Sequence, residues 1–345
     1  MKKQSRKKRK RRHSLLYKFI FLIEIIIILA FIIFGILLKS ISSVNTTPLE
    51  KEKLVTVHED TNMDDYTNIA LFGVDTRSED LSSEKSRSDA IIVASINNQS
   101  KEVKLISLYR DTYCSVNGTY TKLTHAYAYG GPELAISTIN RNLDLNIEQY
   151  ATVNFKIMVD IVNAIGGVEL EVESDFIDDL NTYIREMNRQ NGGNSPEFTS
   201  AGPYTFDGNQ AVAYARIRHN QNGDFSRASR QRILLQAIAK QAQHHPLSFL
   251  KAVNKVLPQV QTNMTTSDIT KMLLSASSYN IVENDGFPYD HTEARLSDGL
   301  YYDIPRTLKT NVIKLHENLF GTENYQVSDE LNKINDKICL QTGFY

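Results

Sequence analysis

The chain has 345 residues, of which 41% are hydrophobic, and its 39 Lys and Arg nearly balance its 40 Asp and Glu to give a formal net charge of −1. This length suffices for one large domain or two small ones, and the hydrophobic content excludes a chain that is disordered throughout. We therefore expect a globular protein with a sizeable buried core.

The N-terminal region joins a basic run to an apolar one. Residues 1–12 include nine Lys or Arg, and residues 19–38 are apolar apart from Glu24. A bilayer span needs about 20 apolar residues, whereas a cleaved signal has a shorter apolar region of about 7–15 residues before a small-residue cleavage site. The basic side of such a span stays in the cytoplasm. The sequence thus predicts a cytoplasmic tail at 1–18, a single transmembrane helix at 19–38 and an extracytoplasmic remainder.

The part of the chain after residue 39 is acidic. It contains 28 basic and 39 acidic residues, which gives a net charge of −11. A nucleic-acid surface is normally basic over a whole face, and the basic run at 1–12 fits membrane topology better than nucleic-acid binding because it precedes an apolar span. We expect no nucleic-acid partner.

Two cysteines, Cys114 and Cys339, lie in the part that is predicted to be outside the cell. Disulfides persist in that compartment, and the even count favours a bridge that ties the C-terminal tail to the body of the domain. Two unpaired thiols are the alternative.

In chain order, the hydrophobic pattern predicts a polar stalk at 39–66 and then alternating strands and helices. A turn-rich loop at 188–204 is a candidate lid, and further helices with a turn-rich segment at 284–299 follow Pro246. We expect a three-layer α-β-α domain with a central mixed, largely antiparallel sheet at 67–245, and a helical C-terminal extension at 246–345 packed on it. The predicted strands are 68–74, 89–96, 102–109 and 167–173, and the predicted helices are 131–143, 154–167, 207–216 (capped by Asp207) and 226–243.

Charged residues mark the ends of the first three predicted strands. Asp75 follows the first strand, Asp89 begins the second, and Arg110 follows the third. A short turn joins the second and third strands, so they should be antiparallel neighbours that bring Asp89 beside Arg110. An antiparallel first strand would add Asp75, with Arg77 and Arg87 on the intervening loop. Each residue taken singly could equally be a solvated strand end.

A second group of charges lies in "RIRHNQNGDFSRASRQR", residues 216–232. If the segment is extended at its start, Arg216 and Arg218 share a face. Arg227 and Gln231 lie on the line that continues into the apolar face of the following helix, and Arg230 lies beside them at the three-residue spacing. The pattern predicts that these side chains point toward the core.

Inward guanidinium groups require a counter-charge, because burial of an isolated charge is costly. Arginine matches phosphate oxygens in pairs, and the N-terminus of the helix adds positive charge. Carboxylates beside such a cluster suit a magnesium-bridged diphosphate and phosphoryl transfer. An internal network of salt bridges is the alternative. The chain has no Walker loop, Gly-x-Ser-x-Gly elbow or cysteine-histidine metal cluster to indicate another chemistry, and His125, His219 and His291 are isolated and better interpreted as structural.

Seven stretches of the chain, in this order, resemble the LytR-CpsA-Psr family over about residues 68–243. The family resemblance implies a catalytic domain outside the membrane that transfers a glycopolymer from a polyprenyl-pyrophosphate carrier to peptidoglycan. Tyr109 and Ser226 depart from the usual proline and glycine of the family without removing a charge. The matching stretches are "LFGVDTR", "SRSDAIIVASIN", "ISLYRDTY", "KLTHAYAYGG", "IVNAIGGVELEV", "FDGNQAVAYARIR" and "DFSRASRQR".

The resemblance also implies residue roles. Asp75 and Asp89 would be metal-linked carboxylates for Mg²⁺ or Mn²⁺, and Asp224 would assist proton removal from the acceptor hydroxyl or orient an arginine. The expected catalytic set is Asp224, Arg110, Arg218 and Arg227. The residues expected around the pyrophosphate are Arg77, Arg87, Arg110, Lys122, Arg216, Arg218, Arg227, Arg230 and Gln231, where the roles of Arg77 and Arg230 are the least defined.

These observations predict a membrane-anchored phosphotransferase that binds a lipid-linked glycan and peptidoglycan. The lipid would occupy an apolar groove between sheet and helices, for which residues 154–167 are a candidate wall. A phosphatase acting on polyprenyl pyrophosphates and a non-catalytic envelope regulator are the alternatives. The sequence does not choose between teichoic acid, capsule and other wall polymers.

Overall fold

The computed structural model describes residues 45–50, 54–56, 61–76, 81, 86–218 and 223–345. A seven-stranded mixed sheet forms its centre, in the order β1-β10-β7-β2-β3-β4-β11, and three two-stranded ribbons, β5-β6, β8-β9 and β12-β13, accompany it within these ranges. The strands are β1 (Asn45–Thr46), β2 (Tyr66–Val74), β3 (Ser88–Asn97), β4 (Glu102–Leu108), β5 (Tyr113–Val116), β6 (Thr119–Lys122), β7 (Gln149–Asn154), β8 (Val168–Val172), β9 (Gly202–Phe206), β10 (Gln261–Thr262), β11 (Asn280–Phe287), β12 (His291–Arg295) and β13 (Tyr301–Pro305).

Helices cover both faces of the sheet. The strands β2, β3 and β4 bury alternate side chains on opposite faces, as the period of two predicts. One face packs against α1, α8 and α9, and the other packs against α5 and α7, with a second core formed by α2 to α5 and the β8-β9 ribbon. The helices are α1 (Leu123–Leu143), α2 (Phe155–Ala164), α3 (Ile177–Asn191), α4 (Gly208–Arg216), α5 (Gly223–His244), α6 (Pro246–Val256), α7 (Thr266–Ser275), α8 (Leu308–Phe320) and α9 (Asp329–Thr342).

The predicted α/β class and mixed sheet are confirmed, but the sheet is not largely antiparallel. The pairs β2-β3, β3-β4 and β7-β10 are antiparallel, whereas β2-β7, β4-β11 and β1-β10 are parallel. Helix α1 lies between β6 and β7 in the chain, so the strand that follows it can return alongside β2 in the same direction.

The C-terminal part of the chain contributes strands as well as helices. Strand β11 extends the central sheet beside β4, and β12 and β13 form a ribbon around the turn at residues 296–300. These strands occupy much of the turn-rich segment predicted at 284–299. The "LSDG" turn and the alternation of residues on either side of it indicate these strands in the sequence. The segment is polar, so a hydrophobicity pattern does not reveal them.

The described part of the predicted stalk packs on the domain. Strand β1 pairs with β10, Asn140 donates a hydrogen bond to the Val55 carbonyl oxygen (2.8 Å), and Met63 is fully buried. The predicted transmembrane helix at 19–38 lies outside the described residues. Across the ranges that are described, no helix has the length and apolar character needed to cross a bilayer.

The loop at 188–204, predicted as a candidate lid, is hydrogen-bonded to the preceding helix, α3. The side-chain amide of Asn181 bonds both the N–H and the C=O of Phe198 (2.8 Å each), and Asn188 does the same with Ser195 (3.0 Å each). Phe198 is buried against Phe206. These paired amide bonds and the aromatic contact make the loop part of the second core.

Candidate functional site

A β-bulge places the first acidic side chain of the site. Strands β2 and β3 pair Gly73 with Ala90 and Val74 with Ser88, so that Asp89 is the extra residue of the bulge. Bulges bend a strand and redirect a side chain next to functional sites. The Asp89 carboxylate accepts a hydrogen bond of 2.7 Å from Arg110 Nη1, as the strand-end pattern predicted.

Arg110 binds carboxylates from three chain segments. Besides Asp89, its Nε lies 3.0 Å from Asp224 Oδ2 and 3.6 Å from Asp111 Oδ2. Burial opposes its charge, but these three carboxylates raise the pKa of the guanidinium above its usual value. Arg110 therefore joins the ends of β3 and β4 to the first turn of α5.

Asp224 in turn holds three arginines. Its carboxylate lies 3.0 Å from Arg110 Nε, 3.2 Å from Arg227 Nη2 and 3.8 Å from Arg218 Nε. Helix α5 begins at Gly223, earlier than predicted, so Asp224 also lies in the first turn, where negative charge is favourable. Of its two predicted roles, this geometry favours orienting the arginines over proton removal, because both oxygens are held by guanidinium groups.

Arg227 is buried, as its helical position predicted. It is only 6% exposed, and its Nη2 also donates to the Asp89 carbonyl oxygen (3.4 Å). Burial, followed by the charge of Arg110, lowers the pKa of Arg227 to about 10. Its Nε finds no hydrogen-bond partner among the described residues, so the site retains an unused donor next to its carboxylates.

Lys122 extends the cluster through Asp111. Lys122 Nζ lies 2.8 Å from Asp111 Oδ1 and 5.7 Å from the centre of the Tyr302 ring. His125, in the first turn of α1, forms a hydrogen bond with Thr121 (2.8 Å), and burial together with the charges of Arg87 and Lys122 lowers its pKa. We call Asp89, Arg110, Asp111, Lys122, Arg218, Asp224 and Arg227 the charge cluster; it contains four cations and three carboxylates.

Arg216 and Arg230 lie outside the charge cluster and have other partners. Arg216 is the last residue of α4, pairs with Glu186 (3.0 Å) and lies over the rings of Phe155 and Tyr183. Arg230 lies over Phe176 (4.8 Å) and donates to the Ile217 carbonyl oxygen (3.3 Å). A shared face for Arg216 and Arg218 was predicted only for an extended segment, and this condition is not met because α4 continues through Arg216.

Two further predicted residues, Asp75 and Arg87, are exposed. Asp75 follows β2 and is exposed next to the bulge, and Arg87 is exposed just before β3. Arg77 and His219 lie outside the described residues. Asp75 directly follows β2 and Asp89 lies near the start of the adjacent strand β3, so two hard oxygen donors that could hold Mg²⁺ occur at neighbouring strand ends.

An apolar cavity adjoins the charge cluster. It has a volume of about 200 Å³ and lies between the sheet and helices α2, α4 and α5, where residues of the predicted groove wall take part. Gln231 lines this cavity and also faces the small void beside Asp89, Arg110 and Arg227. The cavity is lined by Leu71, Phe72, Gly73, Val74, Ala90, Ile92, Ala151, Val153, Asn154, Phe155, Met158, Ile161, Val212, Ala215, Gln231, Leu234 and Leu235.

Another cavity next to the cluster was missed by sequence reasoning. It also has a volume of about 200 Å³, and the β12-β13 ribbon supplies four of its residues. The ribbon reaches the site because Asp303 N–H donates to the Asp111 carbonyl oxygen (3.0 Å). We call it the acidic cavity, lined by Asp111, Asp224, Glu293, Tyr301, Tyr302 and Asp303.

The predicted disulfide is not formed. Cys114 and Cys339 are both buried free thiols, and Cys114 Sγ donates to the Thr121 carbonyl oxygen (3.7 Å). Burial raises the pKa of both thiols, which disfavours the thiolate needed for exchange. Contacts between α9 and β5, such as the Tyr113 hydroxyl donating to Gln341 Oε1 (3.1 Å), hold the C-terminal helix to the domain instead.

Tyr109, which stands where the family usually has proline, packs against residues from later parts of the chain. Its ring packs against Phe225 (4.5 Å between centroids) and His291 (5.8 Å), and its N–H donates to the Phe287 carbonyl oxygen (2.9 Å). The His291 ring also contacts Phe225 (4.8 Å), which supports the structural interpretation of that histidine. This aromatic group includes the residue that precedes Arg110, and its contacts fix this end of β4.

An α-β-α fold with a cluster of guanidinium and carboxylate groups beside an apolar cavity is an arrangement suited to amphipathic anions. Residues 33–318 match the family model LytR_cpsA_psr. The chain belongs to the LytR-CpsA-Psr family, and the predicted family is confirmed.

One related protein carries a name that describes a transferase, and two solved structures are similar to this chain. A polyisoprenyl-teichoic acid–peptidoglycan teichoic acid transferase TagU of Enterococcus faecalis is 33% identical over 226 residues, which are 63% of this chain and 68% of that protein. The gbs0355 protein of Streptococcus agalactiae has a similar structure (TM-score 0.63, 28% identity, 78% of this chain and 92% of that one). A third likeness, to YwtF (TagT) with bound octaprenyl pyrophosphate lipid, has a TM-score of 0.58 at 23% identity and covers 80% of this chain and all of that one; it supports the fold. The prediction of an enzyme of this family is confirmed at the family level.

Proposed function

We propose that this protein transfers a glycopolymer from a polyprenyl-pyrophosphate carrier to a peptidoglycan hydroxyl, forming a phosphodiester bond. The observation that carries the proposal is the junction at Gln231 between an apolar cavity and the charge cluster. A prenyl chain would bind in the apolar cavity, and a diphosphate would bind to the guanidinium groups of the charge cluster. Two relatives support the proposal: TagU is named as a teichoic acid transferase, and YwtF is described with bound octaprenyl pyrophosphate lipid.

The cationic residues at the site would have two different roles in binding the diphosphate. Arg218 has a side chain that is 45% exposed, and Arg87 is exposed, so both are accessible to a ligand. Arg110 and Arg227 are held in place by Asp89 and Asp224, which fixes their donors before the ligand arrives. Pre-oriented donors stabilise charge that develops in the transition state without reorganisation.

Asp75 and Asp89 would hold Mg²⁺ or Mn²⁺ at the bulge. When bound, the ion would neutralise phosphate charge and favour departure of the lipid phosphate. The glycan-bearing phosphorus would face the acceptor, and the lipid monophosphate would remain between the arginines and the apolar cavity. We further propose that the protein is anchored by the 19–38 segment with its catalytic domain outside the cell, which places the cavity near the membrane that supplies the lipid.

Binding measurements on the full-length chain test the two surfaces separately. Ala151→Leu adds bulk to the apolar cavity, so octaprenyl pyrophosphate should bind at least about 10-fold more weakly, while inorganic pyrophosphate should bind within about twofold of wild type. Arg218→Ala should weaken both ligands, because it removes a charge-assisted phosphate contact worth about 1.5–3 kcal/mol. Equal affinity of wild-type protein for octaprenyl pyrophosphate and inorganic pyrophosphate would contradict the proposal.

A transfer assay distinguishes the activity from its alternatives. With a lipid-linked glycopolymer, peptidoglycan and Mg²⁺, the expected product is polymer attached to peptidoglycan. Release of free phosphate without attachment would indicate a phosphatase, and binding without turnover would indicate a regulator.

A further inference from the structure

The acidic cavity brings four carboxylates next to the charge cluster, and one of them differs from the rest. Asp303 on β13 is 6% exposed, and its Cα pairs with that of Glu293 across the β12-β13 ribbon. No hydrogen bond or ion pair engages its carboxylate within the described part of the chain, although the side chain lines the cavity. A buried carboxylate without a partner is costly, so its position requires an explanation.

The other carboxylates of the cavity are occupied or solvated. Asp224 is held by three guanidinium groups, and Asp111 pairs with Lys122 (2.8 Å) and Arg110 (3.6 Å). Glu293 is exposed. In the described ranges, no three or more acidic, histidine or cysteine side chains converge closely enough to hold a metal ion. The cavity is therefore better suited to a ligand that donates hydrogen bonds than to a cation.

We propose that the acidic cavity receives the acceptor sugar and that the Asp303 carboxylate removes the proton from its attacking hydroxyl. This inference rests on the proposed function. The hydroxyl oxygen forms a bond to the glycan-bearing phosphorus, the bond from that phosphorus to the bridging oxygen breaks, and lipid monophosphate leaves. The hydroxyl proton passes to an Asp303 oxygen, so that atoms and charge balance.

The surroundings of Asp303 suit a proton acceptor at neutral pH. Burial, followed by the charges of Asp111, Glu293 and Asp224, raises the pKa of Asp303 to about 7, while Lys122 opposes the increase. Tyr109, on the segment after β4, also senses the Asp303 charge. A general base works best when its pKa is near the working pH.

The charge of the cavity selects a neutral acceptor. A phosphate or carboxylate would be repelled by the acidic lining. A protonated amine would pair with the carboxylates but has no lone pair for attack. A sugar hydroxyl can donate to Asp303, and the exposed Tyr301 lies at the mouth of the cavity, which leaves the lining reachable from solvent.

The experiment compares Asp303→Asn with wild type in the full-length chain. Asparagine keeps the shape but cannot accept the proton, so the transfer rate at saturating lipid-linked glycan should fall at least about 100-fold. Octaprenyl pyrophosphate affinity should stay within about twofold, because the donor binds elsewhere. Asp290→Asn is the matched control, since that carboxylate lies on the same segment with a side chain 70% exposed and paired with Arg306 (3.5 Å); its transfer rate should be unchanged.

The pH profile of the wild-type protein is an independent measurement in case the variant does not fold. Transfer should require the ionised carboxylate, so its rate should fall tenfold per unit as the pH drops below about 7. Wild-type rates for Asp303→Asn, or a profile without this limb between pH 5 and 8, would overturn the inference while leaving the proposed function intact. If wild-type protein bound octaprenyl pyrophosphate but formed no polymer–peptidoglycan product, the proposed function would fail and the inference with it.

Discussion

Asp224→Asn is the most informative single change to the charge cluster. The wild-type carboxylate lies within 3.0–3.8 Å of Arg110, Arg218 and Arg227. Asparagine keeps the shape but removes the negative charge, so three guanidinium groups would face one another with only Asp89 and Asp111 nearby. We expect the ligand-free protein to lose stability and the phosphate site to become more positive.

The size of the loss follows from burial. Breaking a fully buried ion pair costs about 3–5 kcal/mol, whereas an exposed pair contributes about 0–1 kcal/mol. The Asp224 side chain is 26% exposed, that of Arg110 is 21% exposed and that of Arg227 is 7% exposed. These intermediate values lead us to expect a loss of about 2 kcal/mol, which lowers the melting temperature of a folded unit of this size by about 3–4 °C.

Thermal unfolding with and without inorganic pyrophosphate measures both effects. Pyrophosphate should stabilise Asp224→Asn more than wild type, because the ligand replaces the lost negative charge. Glu197→Gln is the control: it breaks an exposed pair with Arg185 (2.7 Å) and should change stability by less than about 0.5 kcal/mol. An Asp224→Asn protein of wild-type stability that binds pyrophosphate more weakly would refute the role of Asp224 as the counter-ion of the arginines.

Three further predictions concern other parts of the structure. Gly286→Ala should destabilise the protein by about 1–3 kcal/mol, because an added Cβ would lie 2.2 Å from the Tyr109 hydroxyl; chemical denaturation should show a smaller effect in a Tyr109→Ala background, and additive effects would exclude the clash. Asn181→Ala removes two hydrogen bonds to Phe198 and should cost about 1–3 kcal/mol; limited proteolysis should then cleave within residues 192–201, and unchanged resistance would argue against the fastening. Burial raises the pKa of Asp303 to about 7, whereas the same carboxyl group in the unfolded chain has a pKa of about 4. Between these two pH values the folded state binds more protons than the unfolded state, so the stability of the wild-type protein falls as the pH rises from about 4 to 7. Asp303→Asn should therefore be about 1–3 kcal/mol more stable than wild type at pH 8 and equally stable below pH 4, as unfolding at both pH values would show; equal stability at pH 8 would contradict the raised pKa.

Local patterns predicted the part of the site that depends on strand and helix geometry. The short turn between β3 and β4 fixed their antiparallel pairing, and this pairing brought Asp89 to Arg110. The helical line from Arg227 to Gln231 identified the buried face of α5. Both inferences need only the periods of two and 3.6 residues, which act within one segment.

Other predictions failed where the outcome depended on distant segments. Arg216 is drawn to Glu186 and two aromatic rings of α2 and α3. Parallel strand pairs form where a connection that contains a helix brings the chain back beside an earlier strand. The C-terminal strands that line the site form a ribbon whose sequence has few apolar residues. The cysteines are free thiols, and packing of α9 on β5 holds the tail.

The sequence by itself determined the family, the alternation of strands and helices, and the supply of arginines and acids at the ends of β2, β3 and β4 and the start of α5. Only the tertiary structure decided which acid neutralises which arginine, and that the Asp303 carboxylate lies beside them without an ion-pair partner among the described residues. The physical reason is that periodicity records which face of an element is buried, whereas an ion pair or a raised pKa depends on distances of 3–4 Å between groups that the chain separates by up to about 200 residues.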